Sequence, residues 1–181
     1  MRGRWPLTEK TLSKIAWLRF WARMFDYFLF GFIFLVLTSH IPNFTTYPVL
    51  FFFVQILFLV SSEAMFISRT GTTPGKKFLG IHIVGKQTCI IPFQIALYRT
   101  FWAYVKGLWL GLPVIMFIPA WFSKRRYMKT GTTIWDEAAQ TEIVMSPSNL
   151  FRRVMFVIVF ILIMFLIGNY SLLQQAVQQA K

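Results

Sequence analysis

The sequence predicts an all-α integral membrane protein of three to four apolar helical segments, with a small cytoplasmic β pairing between two loop segments. Three observations predict this fold class. Of the 181 residues, 56% are hydrophobic and only 14% are charged, whereas about a quarter of a soluble domain is charged. The apolar residues are grouped in blocks, and Lys and Arg, which dominate a net charge of +13, flank those blocks.

Four apolar blocks predict the helical segments in order. The first covers residues 24–38 and is extended on its N-terminal side by residues 16–23. The second, residues 48–67, has about the length that a helix needs to cross a bilayer. The third, residues 98–122, is interrupted by two glycines and two prolines, and the fourth covers residues 154–173. The first block is expected to be an uncleaved span, because 23 residues precede it and no small-residue cleavage site follows it.

The basic residues predict how these blocks cross the membrane. Six lie in residues 1–23, six in 69–106 and six in 124–153. Cytoplasmic loops carry an excess of Lys and Arg. The protein is therefore expected in the cell (inner) membrane, with all three clusters and the N-terminus on the cytoplasmic side. The third block has basic flanks on both sides. It either enters and returns as a broken, re-entrant hairpin buried in protein, or spans plainly and places its C-terminal flank outside.

The basic clusters also bear on the partners. Because they flank apolar blocks, we expect them to contact anionic lipid headgroups of the bilayer and not nucleic acid. Three or four spans enclose little space, so a transporter of this size is expected to form a homo-oligomer or to assemble with another membrane protein.

The tetrapeptide Thr-Gly-Thr-Thr occurs twice, at residues 70–73 and 130–133. The first copy is not a phosphate-binding loop: Gly71 and Gly75 are one residue too close, and Lys77 stands where Ser or Thr is required. Gly71 is instead typical of a helix C-cap, followed by a turn at residues 72–75. The β-branched runs at 79–84 and 141–145 predict two short strands that pair, with Ile83 close to Ile143.

Four segments in this order resemble the RDD family of bacterial multi-pass membrane proteins. They are LRFWARMFD, GTTPGKKFLGIHIV, PFQIALYRTFW and TGTTIWDEAAQTEIV. The resemblance covers residues 16–146. A basic cytoplasmic N-terminal segment at 1–23 overlaps its start, and an additional C-terminal transmembrane helix and tail follow at 147–181. It implies that Arg19, Asp26 and Asp136 are the Arg and two Asp of the family name. It further singles out loop-motif residues, namely Thr73, Pro74, Gly75, Lys76, Gly80, Arg99 and Trp135.

The resemblance has two departures. Trp135 stands where many members have His, and AAQTEIV stands where Gly-Thr usually precedes the final apolar run. Ion or small-solute transport is what the resemblance implies for some members.

The charged residues themselves indicate a polar cluster. Arg19, Arg23 and Asp26 are spaced i, i+4 and i+7, which places them on one helix stripe. Asp26 is expected to contact Arg19, Arg23 or a basic or polar group of residues 69–99, with Asp136 on the same side of the membrane. Glu63 lies four residues from the cytoplasmic end of the second block, at a depth comparable to that of Asp26. Together with Asp136 these residues either bind or relay a cation or proton, or form an ion-pair latch that fixes the first helix against the loops.

Two functions therefore remain open. One is a small transporter or ion-coupled carrier, and the other is a non-transporting membrane subunit or assembly factor whose cluster is a structural latch. An enzyme is not expected, because no triad or redox pair is present. Neither a metal nor another cofactor is expected, since Cys89 is the only cysteine and the two histidines, His40 and His82, are far apart.

Overall fold

The first two apolar blocks form the two longest helices of the chain. The computed structural model describes residues 9–39, 41, 47–86, 90–108, 117–170 and 172. Helix α1 is Glu9–Thr38 and helix α2 is Pro48–Thr70. Pro48 lies in the first turn of α2, where its missing N–H costs nothing. Gly71 ends α2 in the left-handed conformation, with φ +67°, as predicted.

The fourth block forms helix α7, Leu150–Gly168. Within the described ranges, α1, α2 and α7 are the three helices long and apolar enough to cross a membrane. Leu150, Phe151 and Phe165 on α7 are exposed, as expected of side chains that face lipid.

The third block is divided into two helices that contact each other, α4 at Phe93–Leu108 and α5 at Phe117–Thr130. Two of the four residues expected to interrupt this block do not: Gly107 lies inside α4, and Pro119 lies in the first turn of α5, where proline is tolerated. The other two, Gly111 and Pro113, lie outside the described residues. Arg99 in the first half of α4 donates a hydrogen bond to Asp136, which follows the end of α5 by six residues. The outer ends of α4 and α5 therefore lie on the same side of the molecule, as in a hairpin.

Both Thr-Gly-Thr-Thr segments fold in the same way. The first leads into helix α3, Pro74–Phe78, and strand β1, Ile81–Gly85; the second leads into helix α6, Ile134–Ala138, and strand β2, Thr141–Met145. A residue with positive φ precedes each strand, Gly80 at +72° and Gln140 at +49°. The turn expected at residues 72–75 is instead the start of α3, because Thr73 is extended at the N-cap position and Pro74 fits the first helical position.

Strands β1 and β2 pair antiparallel, and Ile83 is the register partner of Ile143, as predicted. The flanking bonds are Ser146 N–H to the Gly80 carbonyl and Lys86 N–H to the Gln140 carbonyl. The Ile83 N–H donates instead to the carbonyl of Gly71, at 2.7 Å. The sheet is therefore tied directly to the end of α2.

Helix α1 lies at the centre of the packing. On one side Met24 and Phe30 pack with α2 and α4 through Leu59, Val60 and Tyr104. On the other side Ala22 and Phe25 pack with α3, β1 and α7, and the Phe25 ring stacks on Phe156 at 5.0 Å. Because both faces of α1 are covered, Arg23 and Asp26 are buried, and a buried charge is costly unless it is paired.

Candidate functional site

Asp136 on α6 is the centre of one buried charge cluster. Its Oδ2 accepts from Arg19 Nη2 at 2.5 Å and from the Thr133 hydroxyl at 2.6 Å. Its Oδ1 accepts from Arg99 at 2.9 Å from Nε and 2.6 Å from Nη2. The Thr141 hydroxyl accepts from Arg99 Nε at 3.2 Å. We call these five residues the Asp136 cluster; both oxygens of its carboxylate are bonded.

The Asp136 cluster keeps its carboxylate ionised. Burial on its own would raise the pKa of Asp136, but the positive charges of Arg19 and Arg99 outweigh it. Hydrogen bonds from Thr133 and Arg99 act in the same direction, so the pKa lies below the ordinary value of an aspartate.

Lys76 on α3 is the centre of a second buried cluster. Its ammonium donates to Glu63 Oε1 on α2 and lies 3.9 Å from Asp26 Oδ2 on α1. Asp26 also accepts from the Thr73 hydroxyl and, at 2.7 Å, from the Gly75 N–H. Asp26 and Glu63 are 0% and 1% exposed. We call Asp26, Glu63, Thr73 and Lys76 the Lys76 cluster.

The Lys76 cluster is not electrically balanced. Burial lowers the pKa of Lys76, the carboxylates of Glu63 and Asp26 raise it, and the positive charges of Arg23 and Arg99 lower it again, so the net pKa is below the ordinary value of a lysine. With all three groups ionised, two carboxylates face one ammonium and the cluster carries a charge of −1. The second oxygen of Glu63, Oε2, is buried and has no partner among the described residues.

Arg23 lies between the two clusters. Its guanidinium stacks over the Trp135 ring at 4.9 Å, and the side chain is 8% exposed. The negative charge of Glu63 favours the Arg23 guanidinium, and the positive charge of Arg99 opposes it. Within the described part of the chain Arg23 forms no ion pair, and its Nε has no hydrogen-bond partner.

The two clusters are related by the repeated tetrapeptide. Lys76 and Asp136 each stand three residues after the last Thr of their own Thr-Gly-Thr-Thr. Each receives one oppositely charged partner from α1, which is Asp26 or Arg19. Each receives another from the next long helix, which is Glu63 on α2 or Arg99 on α4. The two repeats, each a Thr-Gly-Thr-Thr segment with its short helix and strand, thus share one fold and have central residues of opposite charge.

Comparison with known protein families places this arrangement. The model of the RDD family matches residues 15–140. This chain belongs to the RDD family. The match covers most of the chain and includes every residue of both clusters except Thr141, while α7 follows it. No curated protein and no solved structure matches the chain.

The structure divides the single cluster expected at the RDD positions. Arg19 and Asp26 do share one face of α1, but a separation of seven residues is about 10.5 Å along a helix. Each side chain therefore reaches a different short helix, and Arg19 pairs with Asp136. The described polar contacts of Asp26 are Thr73, Gly75 and Lys76, so the expectation that Asp26 contacts Arg19, Arg23 or a basic or polar group of residues 69–99 is confirmed in its third form.

The loop-motif residues have structural positions that explain their chemistry. Pro74 begins α3, and Gly75 lies so close to α1 that a Cβ there would collide with the Ala22 carbonyl and meet Asp26 Oδ1 at 3.0 Å. Gly80 adopts the left-handed conformation before β1. Trp135 packs against Arg23.

Sequence reasoning missed the central role of Lys76 and the contribution of two hydroxyl groups, Thr133 and Thr141. The available signal was the repeat: aligning the two tetrapeptides places Lys76 opposite Asp136. Within the described ranges no three His, Cys, Asp or Glu side chains are grouped as a metal site. Cys89 and His40 lie outside those ranges.

Proposed function

We propose that this RDD protein is a small ion-coupled membrane carrier in which the Lys76 cluster binds and releases one proton or one alkali cation. The observation that carries the proposal is the excess of one carboxylate in the cluster, together with the unpartnered Glu63 Oε2. Ionisable groups inside membrane helices are costly to bury and are functional candidates for that reason. A cation that enters while Lys76 keeps its proton neutralises the excess charge.

The chemistry of Lys76 couples cation binding to proton movement. Its ammonium occupies the space between Asp26 and Glu63 that a cation would take. Because burial lowers its pKa, Lys76 releases its proton more readily than an exposed lysine once a second cation competes for the same carboxylates. Cation uptake and proton release then occur at one site.

The proposed orientation places this site near the cytoplasm. The two repeats lie on one side of the molecule, and that side also carries Arg69, Lys77, Arg126 and Lys129, which supports this orientation. Cytoplasmic loops are the ones enriched in Lys and Arg. The N-terminus of α1 lies on this same side, since Arg19 in the first half of α1 bonds Asp136.

A second candidate function is a non-transporting membrane subunit or assembly factor, and one observation favours it. The Asp136 cluster is closed: Arg19, Arg99 and Thr133 occupy both carboxylate oxygens and tie α1, α4 and α6 together. Such a cluster is suited to fixing elements in place and leaves no oxygen for an ion.

The carrier is tested by flux of protons and alkali cations in proteoliposomes. We expect flux with the wild-type protein and its loss with Glu63→Gln, which removes the excess charge. Glu137→Gln is the matched control, because Glu137 forms an exposed ion pair with Arg126 at 2.8 Å. Absence of flux with the wild-type protein, or unchanged flux with Glu63→Gln, would contradict the carrier and favour the subunit.

A further inference from the structure

A small pocket lies between α1, α5 and α6, apart from the Lys76 cluster. Its volume is about 50 Å³, and its polar lining consists of Arg19, Arg23, Ser123, Lys124, Tyr127, Thr133 and Trp135. Roughly 10–15 Å³ holds one water molecule, so the pocket has room for a group of several oxygen atoms. Ser123 and Lys124 are only half-buried, so the pocket opens at the surface.

The pocket presents hydrogen-bond donors that have no acceptor. Arg23 Nε and Trp135 Nε1 are both buried and unpartnered among the described residues, and Arg19 Nη1 is a third such donor. Trp135 is 3% exposed. A buried donor without an acceptor costs about 1–3 kcal/mol. Three of them around one pocket indicate that an acceptor belongs there.

The charge around the pocket identifies the acceptor as an anion. Four cations that are buried or nearly so, Arg19, Arg23, Arg99 and Lys76, face three carboxylates, Asp26, Glu63 and Asp136, so the interior charges beside the pocket sum to +1 when all are ionised. Lys124 adds a further positive charge to the lining, which among the described residues includes no Asp or Glu. Water would satisfy the donors but would leave this charge uncompensated.

An apolar groove continues from the pocket. It has a volume of about 170 Å³, shares Ala16, Phe20, Ala120 and Lys124 with the pocket, and is completed by Trp17 and Trp121. Trp17 and Trp121 are 44% and 50% exposed. The Lys124 ammonium lies 4.9 Å from the centre of the Trp17 ring. Half-exposed tryptophans beside a lysine are typical of the level of lipid headgroups.

We propose that the pocket binds the phosphate group of an anionic phospholipid and that the groove holds the start of its acyl chain. The phosphate oxygens accept from Arg19, Arg23 and Trp135, and the lipid's net negative charge compensates the excess positive charge. A free phosphate ion offers the same oxygens, but it leaves the adjoining apolar groove empty.

Native mass spectrometry of the delipidated protein in detergent tests this site. We expect one molecule of phosphatidylglycerol to be retained, while phosphatidylcholine with the same acyl chains is not, and inorganic phosphate does not displace the bound lipid. Trp135→Phe removes one N–H from a charged acceptor and is expected to weaken binding about tenfold. Trp102→Phe is the matched control, because Trp102 contacts Lys106 and is not part of the pocket.

A second variant guards against misfolding of Trp135→Phe. Lys124 is half-buried and forms no hydrogen bond or ion pair with another described residue, so Lys124→Gln is expected to fold normally and to bind phosphatidylglycerol several-fold more weakly. Equal retention of both lipids would overturn the proposal, as would unchanged binding by Lys124→Gln. Displacement by inorganic phosphate would overturn it in favour of a free-phosphate site.

Discussion

At the scale of single residues, Gly75 shows how closely α3 is held against α1. Its N–H donates to Asp26 Oδ1 at 2.7 Å, and an added Cβ would meet Asp26 and the Phe25 ring at 3.0 and 3.1 Å. We expect Gly75→Ala to displace α3 and to lower the free energy of unfolding by about 1–3 kcal/mol, as overpacking does. The measurement is the thermal unfolding of the purified protein in detergent.

Gly168→Ala is the matched control for this prediction. Gly168 is the last residue of α7, and a Cβ there has nothing within 4 Å. The free energy of unfolding of this variant should stay the same or rise slightly, because alanine is the better helix former. A loss equal to that of Gly75→Ala would show that the contact with α1 is not the cause.

The lowered pKa of Asp136 predicts a pH dependence of stability. Burial acts to raise this pKa, and Arg19 and Arg99 lower it by more. Below about pH 4 the unfolded chain protonates its aspartates while folded Asp136 stays ionised. Protons then favour the unfolded state, so stability from this group is present above that pH and is lost as the pH falls further.

Melting temperatures of the wild-type protein and Asp136→Asn between pH 6 and pH 3 check this dependence. The wild-type advantage over Asp136→Asn should be largest near pH 6 and should shrink below about pH 4. Parallel curves across the whole range would show that Asp136 does not stabilise the fold as a carboxylate.

At the scale of elements, each repeat combines a left-handed glycine, a Thr at the N-cap position, a short helix and a strand. The spacing of turn residues and β-branched residues was enough to predict the strands and the Ile83–Ile143 register, because both signals are local. The same local signals did not predict that Lys76 and Asp136 are buried. Their burial depends on charged partners from α1, α2 and α4, which are distant in sequence.

The antiparallel ladder predicts different effects of proline at two adjacent positions of β2. In an antiparallel ladder every second residue pair is joined by hydrogen bonds. Gly80 and Ser146 form such a bonded pair, so Val144, which pairs with His82 two positions along, also points its N–H toward β1. Met145 belongs to a non-bonded pair with Ile81, and its N–H points away from β1. We expect Val144→Pro to lower the melting temperature more than Met145→Pro does, because only Val144 loses a ladder donor.

Val144 and Met145 are a matched pair, since their side chains are 39% and 36% exposed. Hydrogen exchange of β1 amides separates loss of the ladder from a general loss of stability. Equal melting temperatures for the two proline variants would contradict this assignment of the register.

At the scale of the whole molecule, the two repeats gather the ends of several helices on one side. The sequence predicted three spans and a divided third block from hydrophobicity, Gly and Pro alone. It could not predict that Arg19 and Asp26 serve separate clusters. Both residues lie on one helical stripe, and only the packing of α3 and α6 at different heights along α1 separates them.

The proposed orientation predicts which positions a membrane-impermeant thiol reagent reaches. On a Cys89→Ser background, Ser39→Cys at the end of α1 should be labelled from outside the cell. Ser123→Cys on α5 should be labelled only after the membrane is permeabilised. Labelling of Ser123→Cys from outside would contradict the hairpin arrangement of α4 and α5.

The central claim is that the two clusters have different tasks, and one comparison tests it most directly. Melting temperature and cation flux per folded molecule are measured side by side for Asp26→Asn and Asp136→Asn. Asp26→Asn leaves Lys76 balanced by Glu63, and its amide oxygen still accepts from Gly75. We therefore expect loss of flux with an unchanged or raised melting temperature.

Asp136→Asn leaves Arg19 and Arg99 buried without a carboxylate. Breaking a buried pair in this way costs about 3–5 kcal/mol, so its melting temperature should fall while the flux of the folded fraction persists. The opposite result would contradict the division of tasks: Asp26→Asn melting as low as Asp136→Asn, with the flux of each folded molecule equal to that of the wild-type protein.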